Sequence, residues 1–155
     1  MWWRLKRSEF EKRKGPGNKK ALKKIVDSGE VLGLLAYANG EPVAWCAVSP
    51  REAYPVLERS RVLKRIDDQP VWSVVCFFVA KPHRRKGLTA KLLKAAVEYA
   101  RGHGARIVEG YPVDPKRDGT PDVFAYTGVV AAFRRTGFVE VLRRSGTRPI
   151  MRFHT

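Results

Sequence analysis

A basic loop that contains a single glycine has the residue types needed to hold a phosphorylated ligand. Arg84, Arg85 and Lys86 precede Gly87, and a helical pattern begins at Leu88. A glycine lets backbone N–H groups approach a phosphate closely, and a helix N-terminus adds positive potential there. The three cations alone would be typical of a solvated basic turn. Followed by a glycine and a helix, they favour a site for a pyrophosphate or a 3′-phosphate, although the loop is neither a Walker A motif nor a G-x-G-x-x-G fingerprint.

The loop lies between two segments with clear patterns. Before it, Trp72–Val79 is a strongly β-prone run. After it, Leu88, Leu92, Ala96 and Ala100 recur every four residues, which predicts an amphipathic helix. A strand, a basic loop and a helix are therefore expected in direct succession, with the helix N-terminus at the loop.

The rest of the chain also divides into short strands and helices. Further strands are predicted at Met1–Leu5, Val31–Ala38, Val43–Val48, Ala105–Tyr111, Phe138–Arg143 and Pro149–Phe153, with an Asn39-Gly40 hairpin turn. Further helices are predicted after Ser8, which forms a capping box with Glu11, after the N-cap Asn18, and from about Thr127 to Thr136. A short amphipathic turn is expected around Leu57–Leu63. The order β-α-α-β-β-β-α-β-α-β-β predicts one α+β (mixed α/β) domain over residues 1–155, built on a largely antiparallel sheet.

Composition narrows the classes of protein. The 155 residues include 31 Lys and Arg against 15 Asp and Glu, a formal charge of +16 that favours anionic ligands or partners. No apolar stretch approaches the length of a membrane helix, and the N-terminus lacks the apolar core of a secretory signal. Cys46 and Cys76 lie in apolar runs, as is typical of reduced thiols in a cytoplasmic protein. The three isolated histidines give little support for a zinc site or a His-based triad.

The sequence resembles the GNAT acetyltransferase superfamily, in an uncharacterised bacterial branch. The family's acetyl-CoA motif is a strand, then [R/Q]-x-x-G-x-[G/A], then a helix, and Arg84, Gly87 and Thr89 stand at its three defining positions. Thr89 departs from the usual small residue. A second signature, an aromatic residue four positions before Gly-Phe, matches Phe133 and Gly137.

The resemblance implies an N-acetyltransferase that moves acetyl from acetyl-CoA to a primary amine by direct attack on the thioester. Main-chain groups of Phe77 and Val79 would bind the pantetheine arm as an added strand. The backbone from Arg85 through Lys86, Gly87 and Leu88 to Thr89 would hold the pyrophosphate, and Tyr126 and Phe133 would lie near the thioester.

Two departures from the family pattern concern proton transfer. Many members carry a tyrosine at the position of Phe133, where it protonates the leaving thiolate; here Tyr126 or solvent would do so. Some members carry a glutamate as general base where Ser73 stands. Glu109 is then a candidate base, directly or through water, as are Tyr111 and Asp114. The alternative for Glu109 is a structural ion pair with an arginine.

Other residues leave further alternatives open. An acyl-cysteine at Cys76 is conceivable, but an inert buried thiol is favoured. Lysines at positions 19, 20, 23 and 24 predict either an acceptor that bears carboxylate or phosphate groups or only a solvated helix face. A basic nucleic-acid-binding domain and an acyl-CoA sensor without turnover are the competing functions, and the chain is expected to be a monomer or a homodimer.

Overall fold

A six-stranded sheet forms the framework of the protein, with the strand order β1-β2-β3-β4-β6-β5. The computed structural model describes residues 1–115 and 122–155, and only the backbone of residues 122–124. Its strands are β1 (Gly33–Ala38), β2 (Glu41–Pro50), β3 (Trp72–Val79), β4 (Ile107–Gly110), β5 (Val139–Arg143) and β6 (Pro149–His154). Neighbouring strands are antiparallel except for β3 and β4, which are parallel. The expectation of an α+β fold on a largely antiparallel sheet is confirmed.

Helices flank this sheet. They are α1 (Arg7–Lys12), α2 (Pro16–Asp27), α3 (Pro55–Arg59), α4 (Leu88–Gly102) and α5 (Val130–Arg135), and short 3-10 segments cover Arg51–Ala53, Lys81–His83 and Asp122–Thr127. The predicted amphipathic pattern of α4 is confirmed, because Leu92, Leu93, Ala96, Val97 and Ala100 are all buried.

The two faces of the sheet bury separate apolar clusters. On one face, α4 and α5 pack over strand residues that include Cys46, Val74 and Phe77, and α5 contributes Phe133. On the other face, Trp3, Tyr54, Leu57, Val75 and Tyr111 belong to a second cluster. Because β3 contributes side chains to both clusters, it is the central element of the fold.

The hairpin prediction is confirmed. Asn39 and Gly40 have φ angles of 52° and 81°, the left-handed pair that a tight two-residue turn requires between β1 and β2.

The N-terminal strand prediction is wrong. Residues 1–5 form turns, in which the amides of Arg4 and Leu5 donate to the Met1 carbonyl. Trp3 is buried in the second cluster, so the segment packs on the sheet face instead of pairing with a strand edge. Burial of the indole outweighs the β-propensity of the two tryptophans.

The predicted helix boundaries also need correction. Helix α1 begins at Arg7, and Lys6 occupies the cap position at which Glu9 accepts from its amide, so Ser8 and Glu11 form no capping box. Helix α2 begins at Pro16, and Asn18 inside it donates to the Phe10 carbonyl. Proline at the first helical position is compatible with helix initiation, because its missing N–H would have no helical partner there.

The turn expected around Leu57–Leu63 is the shorter helix α3. The helix expected from about Thr127 is likewise shorter: it begins at Val130 after a 3-10 segment, because Gly128 takes a left-handed φ of 85° between the two.

Candidate active site

The parallel strands β3 and β4 separate half-way along β3. Their pairing runs from Trp72 with Val108 to Val74 with Gly110 and stops there, although β3 continues to Val79. After β4, the chain bridges in parallel to Val129 instead of to β3. Among residues 1–115 and 122–155, the second half of β3 therefore has no strand partner on this edge.

The open edge of β3 presents main-chain groups of two predicted site residues. The amide of Ala80 donates to Val43 on β2 at 2.9 Å, and the direction of such groups alternates along a strand. Phe77 and Val79 consequently direct their N–H and C=O groups toward the gap. The Arg84 Nε donates to the Val79 carbonyl at 3.1 Å and so ties the following loop to this edge.

A β-bulge interrupts β3 where it leaves β4. Cys76 pairs with Ala47 and Val74 pairs with Val48, so Val75 is an extra residue in the ladder. Val75 and Cys76 both face the second cluster, whereas Val74 and Phe77 face the first. The bulge thus shifts the alternation of the strand at the point where the edge opens.

The basic loop has the geometry of an anion-binding concavity. Arg85 and Gly87 adopt left-handed φ angles of 60° and 75°, and Gly87 is the N-cap of α4. None of the amides from Arg85 to Thr89 donates to another backbone group in the part of the chain that is described. Successive amides in such a conformation converge on one point, to which the dipole of α4 adds positive potential.

The open edge, the loop and α5 together enclose a cleft of about 820 Å³. Its lining includes Phe77, Val79, Arg84, Arg85, Gly87, Leu88, Thr89 and Tyr126, which the sequence predicted as site residues. His83 and Arg135 also line it, although the sequence reasoning missed them. Arg135 lies two positions after Phe133, the aromatic residue of the second signature. That position in the signature could have indicated that Arg135 lies near the cleft. Lys86 lies in the same loop but is not part of the lining.

Phe133 lies next to the cleft but is completely buried. Its ring packs edge-on against Phe77 and Phe138, with ring centroids 6.2 and 5.0 Å apart. A side chain at Gly128 would collide with it, because an ideal Cβ there would lie 2.8 Å from Phe133 Cε2. Phe133 therefore belongs to the core beneath the site. A residue that contacts the cofactor would line the cleft, and Phe133 does not.

Tyr126 lies at a junction of two cavities. It lines the cleft and also a second cavity of about 460 Å³ on the other side of β3. Burial raises the pKa of its hydroxyl, and the nearby Arg148 opposes that shift only in part. The phenol therefore keeps its proton at neutral pH, and a proton donor needs to be in this state.

Glu109 is fully buried between two arginines. Its Oε1 accepts from Arg51 at 2.8 Å and from the Tyr111 hydroxyl at 2.6 Å, and its Oε2 accepts from Arg152 at 2.8 Å. Ser73 completes this network through the Tyr111 hydroxyl at 2.8 Å. Glu109 lines neither cavity. The geometry favours the structural alternative for Glu109 over the role of general base.

The other candidate bases are similarly engaged. Burial, followed by the charge of Glu109, raises the pKa of Tyr111 well above its ordinary value. Asp114 is held by Arg143 at 2.8 Å. No described carboxylate lines either cavity.

The two cysteines have the properties of inert thiols. Burial raises the pKa of Cys46 and of Cys76. Cys76 is half-buried and lines the second cavity. Since only the thiolate is nucleophilic, this environment disfavours an acyl-cysteine.

The lysines of α2 face solvent. Lys19, Lys20, Lys23 and Lys24 are exposed, and Lys23 pairs with Asp27 at 2.8 Å. The opposite face of α2 contributes Leu22 to the second cavity.

A family model for the acetyltransferase (GNAT) family matches residues 1–119, which is most of the chain. The chain belongs to the GNAT acetyltransferase family. This GNAT protein is accordingly an acyltransferase by family. The acetyl-CoA motif that was recognised in the sequence corresponds to β3 and the loop before α4. No curated protein matches the sequence.

Solved structures share the fold at low sequence identity. A ribosomal-protein-alanine N-acetyltransferase from Brucella melitensis has a TM-score of 0.55 and 16% identity, over 89% of this chain and 76% of that chain. A chain of the NatC complex bound to a Gag peptide and CoA has a TM-score of 0.56 and 10% identity, over 88% and 79%. An aminoglycoside acetyltransferase in complex with coenzyme A has a TM-score of 0.53 and 17% identity, over 77% and 64%. These similarities establish the GNAT fold.

The described residues contain neither a membrane-spanning helix nor a cluster of metal ligands. None of their helices combines the length and the apolar character needed to cross a bilayer. They also contain no group of three or more His, Cys, Asp or Glu side chains that could hold a metal ion.

Proposed function

We propose that this GNAT protein transfers the acetyl group of acetyl-CoA to a primary amine, as a single domain formed by residues 1–155. The observation that carries the proposal is the cleft in which the edge of β3 meets the N-terminus of α4. Within the described part of the chain, this edge pairs with no strand and the amides of the loop donate to no backbone group. A strand edge matches the amide groups of a pantetheine arm, and convergent N–H groups match a pyrophosphate.

The binding roles follow from these contacts. Phe77 and Val79 offer main-chain groups to the pantetheine arm. The amides from Arg85 to Thr89 hold the pyrophosphate, and the side chains of Arg84, Arg85 and Arg135 supply positive charge around it. Phe133 does not contact the cofactor in this proposal; it packs against Phe77 and fixes the position of that residue.

The reaction is a direct acyl transfer. The neutral amine nitrogen attacks the thioester carbonyl carbon, a C–N bond forms, and the C–S bond breaks to release the thiolate of CoA. Tyr126 donates its hydroxyl proton to that thiolate, and water takes the proton that the new amide nitrogen loses. Solvent then returns a proton to Tyr126, so the overall reaction yields the amide and the free thiol of CoA. Because no described carboxylate lines either cavity, positioning of the amine supplies much of the rate.

Glu109 acts as a structural residue in this proposal. Its carboxylate joins Arg51, at the end of β2, to Arg152 on β6 and so fixes β4 from both sides. The end of β4, which lies against the Phe133 ring, is thereby held in place.

The test is acetyl-CoA turnover with a panel of primary amines, followed by release of the free thiol. Acetyl-CoA should react faster than propionyl- or butyryl-CoA if acetyl is the natural group. Binding of CoA, seen as an increase in Tm, without thiol release with any amine would indicate a sensor instead of an enzyme. A strong salt-dependent affinity for DNA or RNA that CoA does not alter would indicate the nucleic-acid-binding alternative.

A further inference from the structure

The second cavity identifies the chemical class of the acceptor. We infer that this pocket takes an aromatic primary amine, with its ring among the tryptophans and its amino group at the Tyr126 end. The inference rests on the proposed function, because it assigns the acceptor of the same reaction. It differs from the sequence-based expectation of an anionic acceptor.

Aromatic side chains make up nearly half of the pocket wall. The cavity of about 460 Å³ lies between the N-terminal segment, α1, α2 and the strands β2 and β3, and it is of the size that holds a small ligand. Six of its lining residues carry aromatic rings: Trp2, Trp3, Phe10, Trp45, Tyr54 and Tyr126. Rings of this kind stabilise another ring by edge-on or offset contact as well as by burial.

The rings already occupy positions that leave faces and edges toward the cavity. Trp2 meets Phe10 edge-on at 5.3 Å between centroids, and Trp3 lies tilted against Tyr126 at 6.4 Å. Trp45 is half-buried on β2, beside Cys76 and Val75 of the bulge. An aromatic body between these side chains would be surrounded by apolar surface on several sides.

The charge of the wall argues against both polycationic and anionic acceptors. No Asp or Glu lines the cavity, so a polyamine has no carboxylate to bind its ammonium groups. Arg4 is the one Lys or Arg in this lining, and its guanidinium is engaged by Glu30 at 2.8 Å, by Ser49 Oγ at 3.0 Å and by the Tyr54 ring. Met1 also lines the cavity, and burial lowers the pKa of its α-amino group, which makes that group a weaker partner for an anion. A charge that leaves water without a partner costs free energy. A polyamine or an anion keeps such a charge in the pocket, whereas an aromatic monoamine is uncharged in the neutral form that attacks the thioester.

The pocket adjoins the cofactor cleft. Tyr126 is shared with the cofactor cleft, and Val75 and Cys76 lie where the edge of β3 opens. An amino group at this end therefore lies next to the expected thioester. The lysines of α2 face away from the cavity, so they do not contact an acceptor held within it.

The experiment compares four amines of different charge and aromatic character. Phenethylamine is the aromatic probe, 2-cyclohexylethylamine has a similar size without aromaticity, spermidine is polycationic, and O-phosphoethanolamine is anionic. We expect kcat/KM with acetyl-CoA to be at least tenfold higher for phenethylamine than for spermidine and O-phosphoethanolamine, and several-fold higher than for the cyclohexyl compound.

Variants connect this preference to the pocket. Trp45→Ala and the milder Trp2→Ala should each lower kcat/KM for phenethylamine about tenfold and leave the CoA-induced increase in Tm unchanged. Tyr37→Ala is the matched control, because Tyr37 is an exposed aromatic residue on the neighbouring strand β1 that lines neither cavity. The combined reversal of Lys19, Lys20, Lys23 and Lys24 to glutamate should leave phenethylamine kinetics unchanged.

Failure of the inference is distinguishable from failure of the proposed function. Turnover that favours O-phosphoethanolamine and is lost in the lysine reversal, or that favours spermidine, overturns the inference and keeps the acetyltransferase. Calorimetric binding of phenethylamine that Trp2→Ala weakens, without turnover of any amine, overturns the acetyltransferase and keeps the ligand class. If phenethylamine is neither bound nor turned over, the inference is overturned, whatever the results with the other amines.

Discussion

Phe133 fills the space into which a side chain at Gly110 would project, because an ideal Cβ at Gly110 would lie 2.8 Å from Phe133 Cζ and closer still to Cε1. Gly110 is the last residue of β4, at the point where β4 stops pairing with β3. The same ring packs against Phe77 on β3. One buried aromatic residue of α5 thus sets the relative position of the two strand ends beside the cleft.

Gly110→Ala should therefore lower Tm by several degrees. Overpacking of a core costs about 1–3 kcal/mol, and each kcal/mol corresponds to about 2–4 °C in a domain of this size. The CoA-induced increase in Tm should also shrink, because the Phe133 ring must move against Phe77. Gly102→Ala is the control, since a Cβ at Gly102 meets nothing within 4 Å, and it should leave Tm unchanged or raise it. Equal Tm values for the two variants would contradict this account of Phe133.

Gly87→Val should abolish the CoA-induced increase in Tm, because a β-branched side chain in the loop blocks approach of the pyrophosphate to the backbone. Gly104→Val is a closely matched control at the other end of α4. Both glycines have left-handed φ angles, 75° and 81°, and a Cβ at either meets nothing within 4 Å. Both variants should lose stability by about 1–3 kcal/mol from backbone strain. If CoA still stabilises Gly87→Val as it does Gly104→Val, the loop is not the phosphate site.

Tyr126→Phe should lower kcat about 10²-fold and leave the affinity for CoA nearly unchanged, because the hydroxyl acts only on the leaving thiolate. Burial raises the pKa of Tyr126, so its phenol stays protonated up to its ordinary value of about 10 and beyond. In the wild type, the fall in kcat caused by loss of this proton should accordingly occur above pH 10. Tyr99→Phe, on α4 and in neither cavity, should keep the wild-type rate. A wild-type kcat in Tyr126→Phe would assign the proton to water.

Glu109→Gln should lower the free energy of unfolding by about 3–5 kcal/mol, because it leaves Arg51 and Arg152 without a buried partner charge. Urea unfolding measures the loss, and Glu52→Gln, in an exposed pair with Arg65, should change it by less than about 1 kcal/mol. The acidic limb of the pH–rate profile should persist in Glu109→Gln. Disappearance of that limb in a folded variant would restore Glu109 as the general base.

Asp67→Asn should reduce stability in a pH-dependent way. The hydrogen bonds from Arg152, at 2.6 and 3.0 Å, lower the pKa of Asp67. A carboxyl whose pKa is lower in the folded state stabilises the protein above its unfolded pKa of about 3.9 and loses this effect as pH falls through the folded value. The stability difference between wild type and Asp67→Asn should therefore be present at pH 7, begin to shrink near pH 4 and disappear once the pH is below the folded pKa of Asp67. Asp68→Asn is the control, and a difference that persists unchanged at low pH would exclude the ion pair as its source.

Local patterns predicted the elements that are defined by neighbours in the chain. The Asn39-Gly40 turn, the strand Trp72–Val79 and the helix that begins at Leu88 all have the predicted type and position. Propensity and periodicity decide such elements because the interactions are between residues a few positions apart. The strand predicted at residues 1–5 is wrong, since Trp3 is buried against residues that are distant in the sequence.

The sequence did not allow the role of the buried carboxylate of Glu109 to be predicted. Glu109 at the end of a strand could equally be a base or an ion-pair partner, and the choice depends on Arg51 and Arg152, which lie 58 and 43 residues away. Val75 gives no local signal of the bulge, because a bulge is a property of two paired strands.

The sequence by itself indicated the family and the fold class. It also predicted a phosphate site in the loop before α4, because a glycine between cations and a helix start is a local arrangement of the backbone. Only the tertiary structure decided that Tyr126 joins two cavities, that Phe133 supports the site from the core, and that the lysines of α2 point away from the aromatic pocket. Those three outcomes depend on which side chains from distant segments exclude water together. Burial is settled by the whole chain, and a short motif carries no information about it.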